Sequence, residues 1–290
     1  MTDPATRQTA RTAVIVPCYE DGDTLQETVA SVRDQEPCEL VVVDDGSQAP
    51  ETLRILEELE SAGVTVVRQE NRGVSAARMK GVAVTSAPYV FPLDADDTLV
   101  PGALTSLADV LDARPDLAAV WGFTEVFGDV TYTRRRRASR IDPWRLTYFN
   151  GLPYTALLRR TALLGVGGWQ VRGGYEDWDL WMALAERGFE GSFIKTPATR
   201  YRVHGSRMWR EAAARHDRIH EELRRRHLAL FARRRRNWRR SAEPWRVKLV
   251  VPVAGALPIS ARNRTRLFMI VDDPAATATL VWQKLRRARG

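Results

Sequence analysis

Four short runs, at 12–18 (TAVIVPC), 40–44 (LVVVD), 64–68 (VTVVR) and 89–93 (YVFPL), are apolar at almost every position instead of alternating. A strand with that composition is one covered on both faces. Between these runs the apolar positions return at helical spacing. Asp23 followed by Gln26 reads as a capping box opening a helix through Arg33, Pro50 opens ETLRILEELE, and VSAARMKGVAVT is amphipathic. Strand and helix alternating at this pace predict right-handed crossovers and a Rossmann-like, mostly parallel α/β sheet. Its active crevice is expected beyond the carboxyl ends of the strands.

The rhythm changes near residue 115. LAAVWGFTEVF, GDVTYT and LPYTALL read as strands, RRRRASR as a loop and EDWDLWMALAERG as a helix. GSFIK and TRYRVH read as two further strands, followed by one long Arg-rich helix from Met208 to Arg240. After Pro244, VKLVVPVAGALPIS is apolar but interrupted by Pro252 and Pro258, too short for the roughly 20 residues of a membrane span. It either lies in a membrane interface or packs on the body. The chain thus divides into a disordered leader (1–11), two halves of one α/β domain (12–114 and 115–207) and a basic helical appendage (208–290).

Composition adds limits. The 290 residues are 44% hydrophobic, enough for a substantial core, and two cysteines, Cys18 and Cys38, suggest neither a disulfide framework nor a zinc site. The opening MTDPATRQTARTAV lacks the apolar stretch of a signal peptide, so a reducing cytoplasm is the expected compartment. The net charge of +8 is uneven, because residues 200–246 hold sixteen arginines against five acidic residues. Such a tail suits an anionic surface, phospholipid headgroups or nucleic acid; the alternative is a solvated, partly ion-paired helix.

The chemistry-bearing residues are acidic. PCYEDGD after the first strand is not a glycine-rich phosphate loop. Instead VVVDDGS sets Asp44 and Asp45 at one strand end, and FPLDADD sets Asp94, Asp96 and Asp97 at another. Carboxylates gathered at one crevice repel unless a cation or hydrogen-bond donors intervene, and hard oxygen ligands of this kind favour Mg²⁺ or Mn²⁺. Read singly, DDGS is equally a turn, and Asp96 or Asp97 equally a helix cap. A third group, Glu176, Asp177 and Asp179 in YEDWDLW, is either an ordinary helix start or a general base whose pKa is raised beside Trp178 and Trp181. His204 closes a strand pattern and either completes a metal shell or is structural. His216, His220 and His227 carry no assigned role, the first two being expected to face solvent.

In order, IVPCYEDGDTL, VVVDDGS, NRGVSAARMKGV, FPLDADD, GGW, YEDWDLWMALAERG and YRVHGS resemble the successive signatures of glycosyltransferase family 2 with the GT-A fold, over residues 13 to 207. The resemblance implies a nucleotide-sugar-binding half (12–114), an acceptor-side half (115–207) and an inverting transfer from a nucleotide diphosphate sugar, UDP-type, with Mn²⁺ or Mg²⁺. It implies that Pro17, Tyr19 and Asp44 line the base and ribose pocket, and that Asn71, Gly73 and Arg78 belong to the donor-binding segment, with Arg78 reaching the diphosphate. Asp94 meets ribose or metal, Asp96 is the firmer metal ligand, Asp177 the catalytic base and His204 a further metal or diphosphate contact. Glu176, Trp169 and Trp178 are expected to contact acceptor or sugar. Glu20 stands where many members have Asn. The QxxRW signature of processive synthases is missing, so one sugar per encounter is expected, onto a glycan or lipid-linked acceptor. Peripheral contact with the inner face of the cell membrane through the Arg-rich tail and a homo-oligomer are compatible expectations; nucleic acid is not an expected partner. The rivals are a sugar-phosphate nucleotidyltransferase and a non-catalytic module whose tail binds polyanions or membranes.

Overall fold

The four apolar runs form β1 (Thr12–Cys18), β2 (Glu39–Asp44), β3 (Thr65–Arg68) and β4 (Tyr89–Pro92). These are seen in a computed structural model that describes residues 10–129, 132–134, 138–203, 216–257, 259 and 261–272. The strands pair in parallel in the order β3-β2-β1-β4. β1 is buried throughout, whereas β3, at the sheet edge, is partly exposed. Alternation still sorts β1: Val14 and Val16 enter the core beneath α1 (Gly22–Arg33) and α2 (Pro50–Ser61), while Ile15 packs under α3 (Val74–Val84). α3 lies so close that a Cβ on Gly81 would sit 2.4 Å from the Ile15 side chain.

Pro50 opens α2 as expected, but the capping box at Asp23 does not form. Asp21 precedes the first turn of α1 without a side-chain cap, and Gln26 reaches across to Glu58. α1 is held from the side instead. Thr24 donates to the Ala95 carbonyl at 2.9 Å, and Thr28 donates to the carbonyls of Ala95 and Asp97, each at 2.8 Å. Those bonds lock the DADD turn in place.

β5 (Thr98–Leu99) and α4 (Ala103–Ala113) complete the first half, and the second adds β6 (Leu117–Gly128), β7 (Tyr132–Arg134), β8 (Leu157–Arg159), α5 (Arg160–Gly165), α6 (Glu176–Glu186) and β9 (Glu190–Val203). They extend the sheet to β3-β2-β1-β4-β8-β6-β9-β5, with β7 on β6; β8 and β5 run antiparallel to their neighbours and β9 parallel to β6. GSFIK and TRYRVH are therefore one strand, not two. Its register slips against β6, and a Cβ on Gly122 would lie 2.3 Å from the Thr196 carbonyl, which explains the broken pattern. LPYTALL joins the ladder only at Leu157 and Leu158, since the Pro153 carbonyl accepts from Trp181 Nε1 at 3.0 Å. Arg11, assigned to the leader, is tied to the body by Glu36, Asp109 and Asp112.

The appendage is not one long helix. It breaks into α7 (His216–Arg226), α8 (Leu228–Ala232) and α9 (Arg234–Arg240). The break falls where His227 turns inward. Its Nε2 lies 3.0 Å from Asp179 and its Nδ1 3.0 Å from Glu186, both on α6. Arg226 adds a 2.7 Å bond to Asp179, which is 2% exposed. The apolar stretch then forms α10 (Trp245–Ala256), whose Val247, Val251 and Ala254 pack on Trp144 and on Phe268 of α11 (Ala261–Asp272). Pro252 leaves the Lys248 carbonyl without its helical donor, and Trp238 Nε1 supplies one at 3.3 Å. No helix among the described residues is long and apolar enough to cross a membrane.

Burial opposes the charge on His227, but the bonds to Asp179 and Glu186 prevail and raise its pKa above 6.5. That contribution is full below 6.5 and is lost as pH climbs through the raised value. Burial likewise opposes the charge of Asp179, yet His227 and Arg226 hold its pKa below 3.8, so its contribution is full above 3.8 and lost in stronger acid. Docking of the appendage should peak between those limits. His227→Gln should cost about 1–3 kcal/mol and abolish the alkaline fall in melting temperature, measured from pH 5 to 9.

Candidate active site

The strand ends at Cys18, Asp44 and Arg68 are level in the sheet, and β4 continues into Asp94 on the same edge. Asp44 is buried, and its Oδ1 accepts the Ser47 N–H at 2.9 Å. Asp45 is consumed by the loop before α3. It accepts from Gln69 Nε2 at 2.7 Å, Arg72 N at 2.8 Å and Gly73 N at 2.7 Å. Gly46 (φ 84°) lets this turn close, since a Cβ there would meet the Asn71 nitrogen at 2.8 Å. Glu20 adopts φ 62° and accepts from the backbone of Gln48 at 2.7 Å and Ala49 at 3.0 Å, bracing the start of α2. Pro17 is buried at the end of β1, while Tyr19 and Asn71 are exposed beside the edge and Gly73 opens α3.

The two halves meet at Arg78. It is 1% exposed and donates through Nη2 to Asp94 at 2.7 Å and through Nη1 to Glu176 at 3.1 Å. The rings of Tyr154 and Trp169 stand 5.8 and 5.7 Å from its guanidinium. Burial works against the charge on Arg78, but Asp94 and Glu176 outweigh it and raise its pKa. A guanidinium buried between two carboxylates acts here as a strut between the halves, with both terminal nitrogens taken by Asp94 and Glu176. Asp97, beside it, is fully buried and accepts from Tyr154 and from the Arg202 N–H, the latter at 2.8 Å. Burial, then the charges of Asp96 and Asp94, push its carboxyl well above the usual range. Those three aspartates are therefore electrostatic neighbours.

Across the strut, Asp177 follows Glu176 in the first turn of α6, and Asn150 donates to its Oδ2 at 2.7 Å. Tyr175 holds φ 64° before this turn and hydrogen-bonds His216 Nδ1 at 2.9 Å. Burial and then Asp177 push the Tyr175 hydroxyl up to about 12, so it stays a donor. His216 and His220 do not face solvent. They stack against each other and pack on Trp178, and burial pushes His220 down to about 4. Trp178 and Trp169 are buried, and Trp178 Nε1 is spent on the Leu146 carbonyl at 2.8 Å. In this structure both rings pack behind α6 and Arg78.

The structure thus gathers Asp94, Asp96, Arg78 and Glu176, with Asp177 next in sequence. His204 lies outside the described residues. No three His, Cys, Asp or Glu side chains among the described residues form a ready-made metal cage. Asn150, Tyr154 and Arg202 escaped the sequence analysis. Tyr154 lay in the LPYTALL strand pattern and Arg202 in the TRYRVH pattern in which His204 was noted; the Arg202 Nε donates to the Asp96 carbonyl at 2.9 Å.

The sequence model described as glycosyl transferase family 2 matches residues 13–171. A glucosyl-dolichyl phosphate glucuronosyltransferase of Haloferax volcanii is 29% identical over 57% of this chain and 57% of its own length. The succinoglycan biosynthesis protein ExoU of Rhizobium meliloti is 37% identical over 32% of this chain and 28% of its own. The chain thus spans little more than half, or less, of the length of these curated relatives. Among solved structures, S. aureus TarS in complex with UDP-GlcNAc covers 91% of this chain, which covers 82% of it, at a TM-score of 0.66 and 16% identity. That likeness concerns the fold, which is GT-A.

Arg78→Met should leave Asp94 and Glu176 without their shared cation. A loss of about 3–5 kcal/mol in chemical denaturation is expected, against less than half of that for the Asp94→Asn variant, which leaves Arg78 paired to Glu176.

Proposed function

The chain belongs to glycosyl transferase family 2, and on that premise we propose that it moves one sugar per encounter from a nucleotide diphosphate donor to an acceptor hydroxyl, inverting the anomeric carbon. The observation that carries this reading is the Arg78 strut, which fixes Asp94 of the donor half to Glu176, the residue before Asp177. A UDP-type donor is supported by the bound UDP-GlcNAc named for TarS, and a lipid-linked acceptor by the dolichyl phosphate named for the Haloferax relative.

Asp177 takes the proton of the acceptor hydroxyl as that oxygen bonds to the anomeric carbon. The bond from that carbon to the diphosphate breaks on the opposite side, and the electron pair leaves with the phosphate. Asn150 keeps the Asp177 carboxylate oriented for this transfer. Asp44, Pro17 and Tyr19 hold base and ribose, with Asn71 and Gly73 at the edge of the same pocket. The crowding of Asp94 and Asp96 around Asp97 is a concentration of hard oxygen donors that suits Mn²⁺ or Mg²⁺. Asp96 would hold the ion, with His204 and donor phosphates completing its shell. When bound, the ion neutralises charge growing on the departing diphosphate.

Asp177→Asn should lower kcat by about 10² to 10⁴ while calorimetry finds donor binding within a factor of three of the parent. A variant keeping more than a tenth of parental turnover would remove Asp177 from this role. Chelation by EDTA should abolish transfer, and added Mn²⁺ or Mg²⁺ should restore it in the parent but not in Asp96→Ala.

A further inference from the structure

α10 has two apolar faces and only one is covered. Val247, Val251 and Ala254 are buried against the body, whereas Trp245, Leu249 and Val253, at four-residue spacing on the other side, are 76%, 57% and 63% exposed. Arg246 is exposed within the same arc. A stripe headed by a tryptophan and open to solvent is unusual for a surface helix, and it marks a surface that meets something apolar.

What lies beside it names the partner. α9 packs on α10 through Trp238, whose ring carries Lys248 Nζ 5.2 Å from its centre. Arg235, Arg236, Arg239 and Arg240 of α9 line an open depression of about 590 Å³. None of these four, nor Arg246, forms an ion pair among the described residues, and Glu243, the acidic residue between the helices, is taken by Arg145 at 2.9 Å. The appendage therefore presents an apolar ridge next to uncompensated guanidinium groups, the pairing that lets a helix sink into acyl chains while arginines bind phosphate oxygens.

We propose that α9 and α10 form a docking surface for an anionic phospholipid membrane. The surface is joined to the active site by one short segment. Tyr148 and Phe149 pack in the cluster beneath α10 and α11, and the next residue, Asn150, donates to Asp177. Resting on the transfer reading for this consequence alone, docking brings Asp177 to an acceptor hydroxyl carried on a lipid.

The test is co-sedimentation of the full chain with phosphatidylcholine vesicles, with and without phosphatidylglycerol, in the absence of sugar nucleotide. Binding is expected to the anionic vesicles only and to weaken with salt. The triple variant Trp245→Ala, Leu249→Ser, Val253→Ser should lower partitioning at least tenfold, and Arg239→Gln with Arg240→Gln about fivefold per arginine, both with the parental melting temperature. The Trp245 emission, taken as the difference between parent and Trp245→Phe, should shift to the blue on binding. Equal binding to neutral vesicles, or none to either, would overturn the proposal. So would a triple variant that binds like the parent, which makes the arginines a general polyanion site, or a concentration-dependent dimer abolished by that variant without any lipid binding, which makes the ridge a protein interface. Because no donor is present, these outcomes are independent of the Asp177 and metal assays.

Discussion

A guanidinium removed from water between two carboxylates is the interaction on which the site depends. Arg78 enters from α3 and Asp94 from just past β4, 16 residues on, whereas Glu176 comes from the start of α6, 98 residues from Arg78. Leaving Arg78 unpartnered in a dry interior carries a large desolvation cost, so the pairing favours one relative placement of the halves. The aromatic rings of Tyr154 and Trp169 exclude water from it. The placement of the proposed base follows from charge burial, because the residue after Glu176 is Asp177.

The same economy recurs outward. Asp179, two residues further along α6, anchors the appendage through His227 and Arg226, and Trp178 between them is clamped by His216 and His220. The first turn of α6 thus carries, residue by residue, a strut to the donor half, the proposed base, a packing ring and an anchor for the basic tail. A change in how the tail sits has a short mechanical route to the site, through α6 or through the segment ending at Asn150.

Much of this architecture was legible in the sequence. Strands covered on both faces must be apolar at nearly every position, which is why β1, β2 and β4 were found almost to the residue; β3, at an edge, kept the composition without the burial. β8 and β9 were harder, because a three-residue antiparallel strand and a bulged one have no clean period. The order of motifs identified the family and the position of the acidic groups. What it could not say is which way a side chain turns. The burial of Arg78 between Asp94 and Glu176 was not foreseen, although its spacing to Ser75 and Val82 places it on the buried face of α3, and that spacing was the available signal. His227 was passed over because a histidine in an arginine run looks solvated until its partners on another helix are known.

The most direct test of the account is the crystal structure of the chain with a uridine diphosphate sugar and Mn²⁺, located by anomalous diffraction. The account predicts a manganese peak at Asp96 against the diphosphate, Arg78 still bonded to Asp94 and Glu176, and the Asp177 carboxylate facing the anomeric carbon from the side opposite the phosphate. A nucleotide bound away from the Asp44 edge, or an anomeric carbon turned from Asp177, would contradict it.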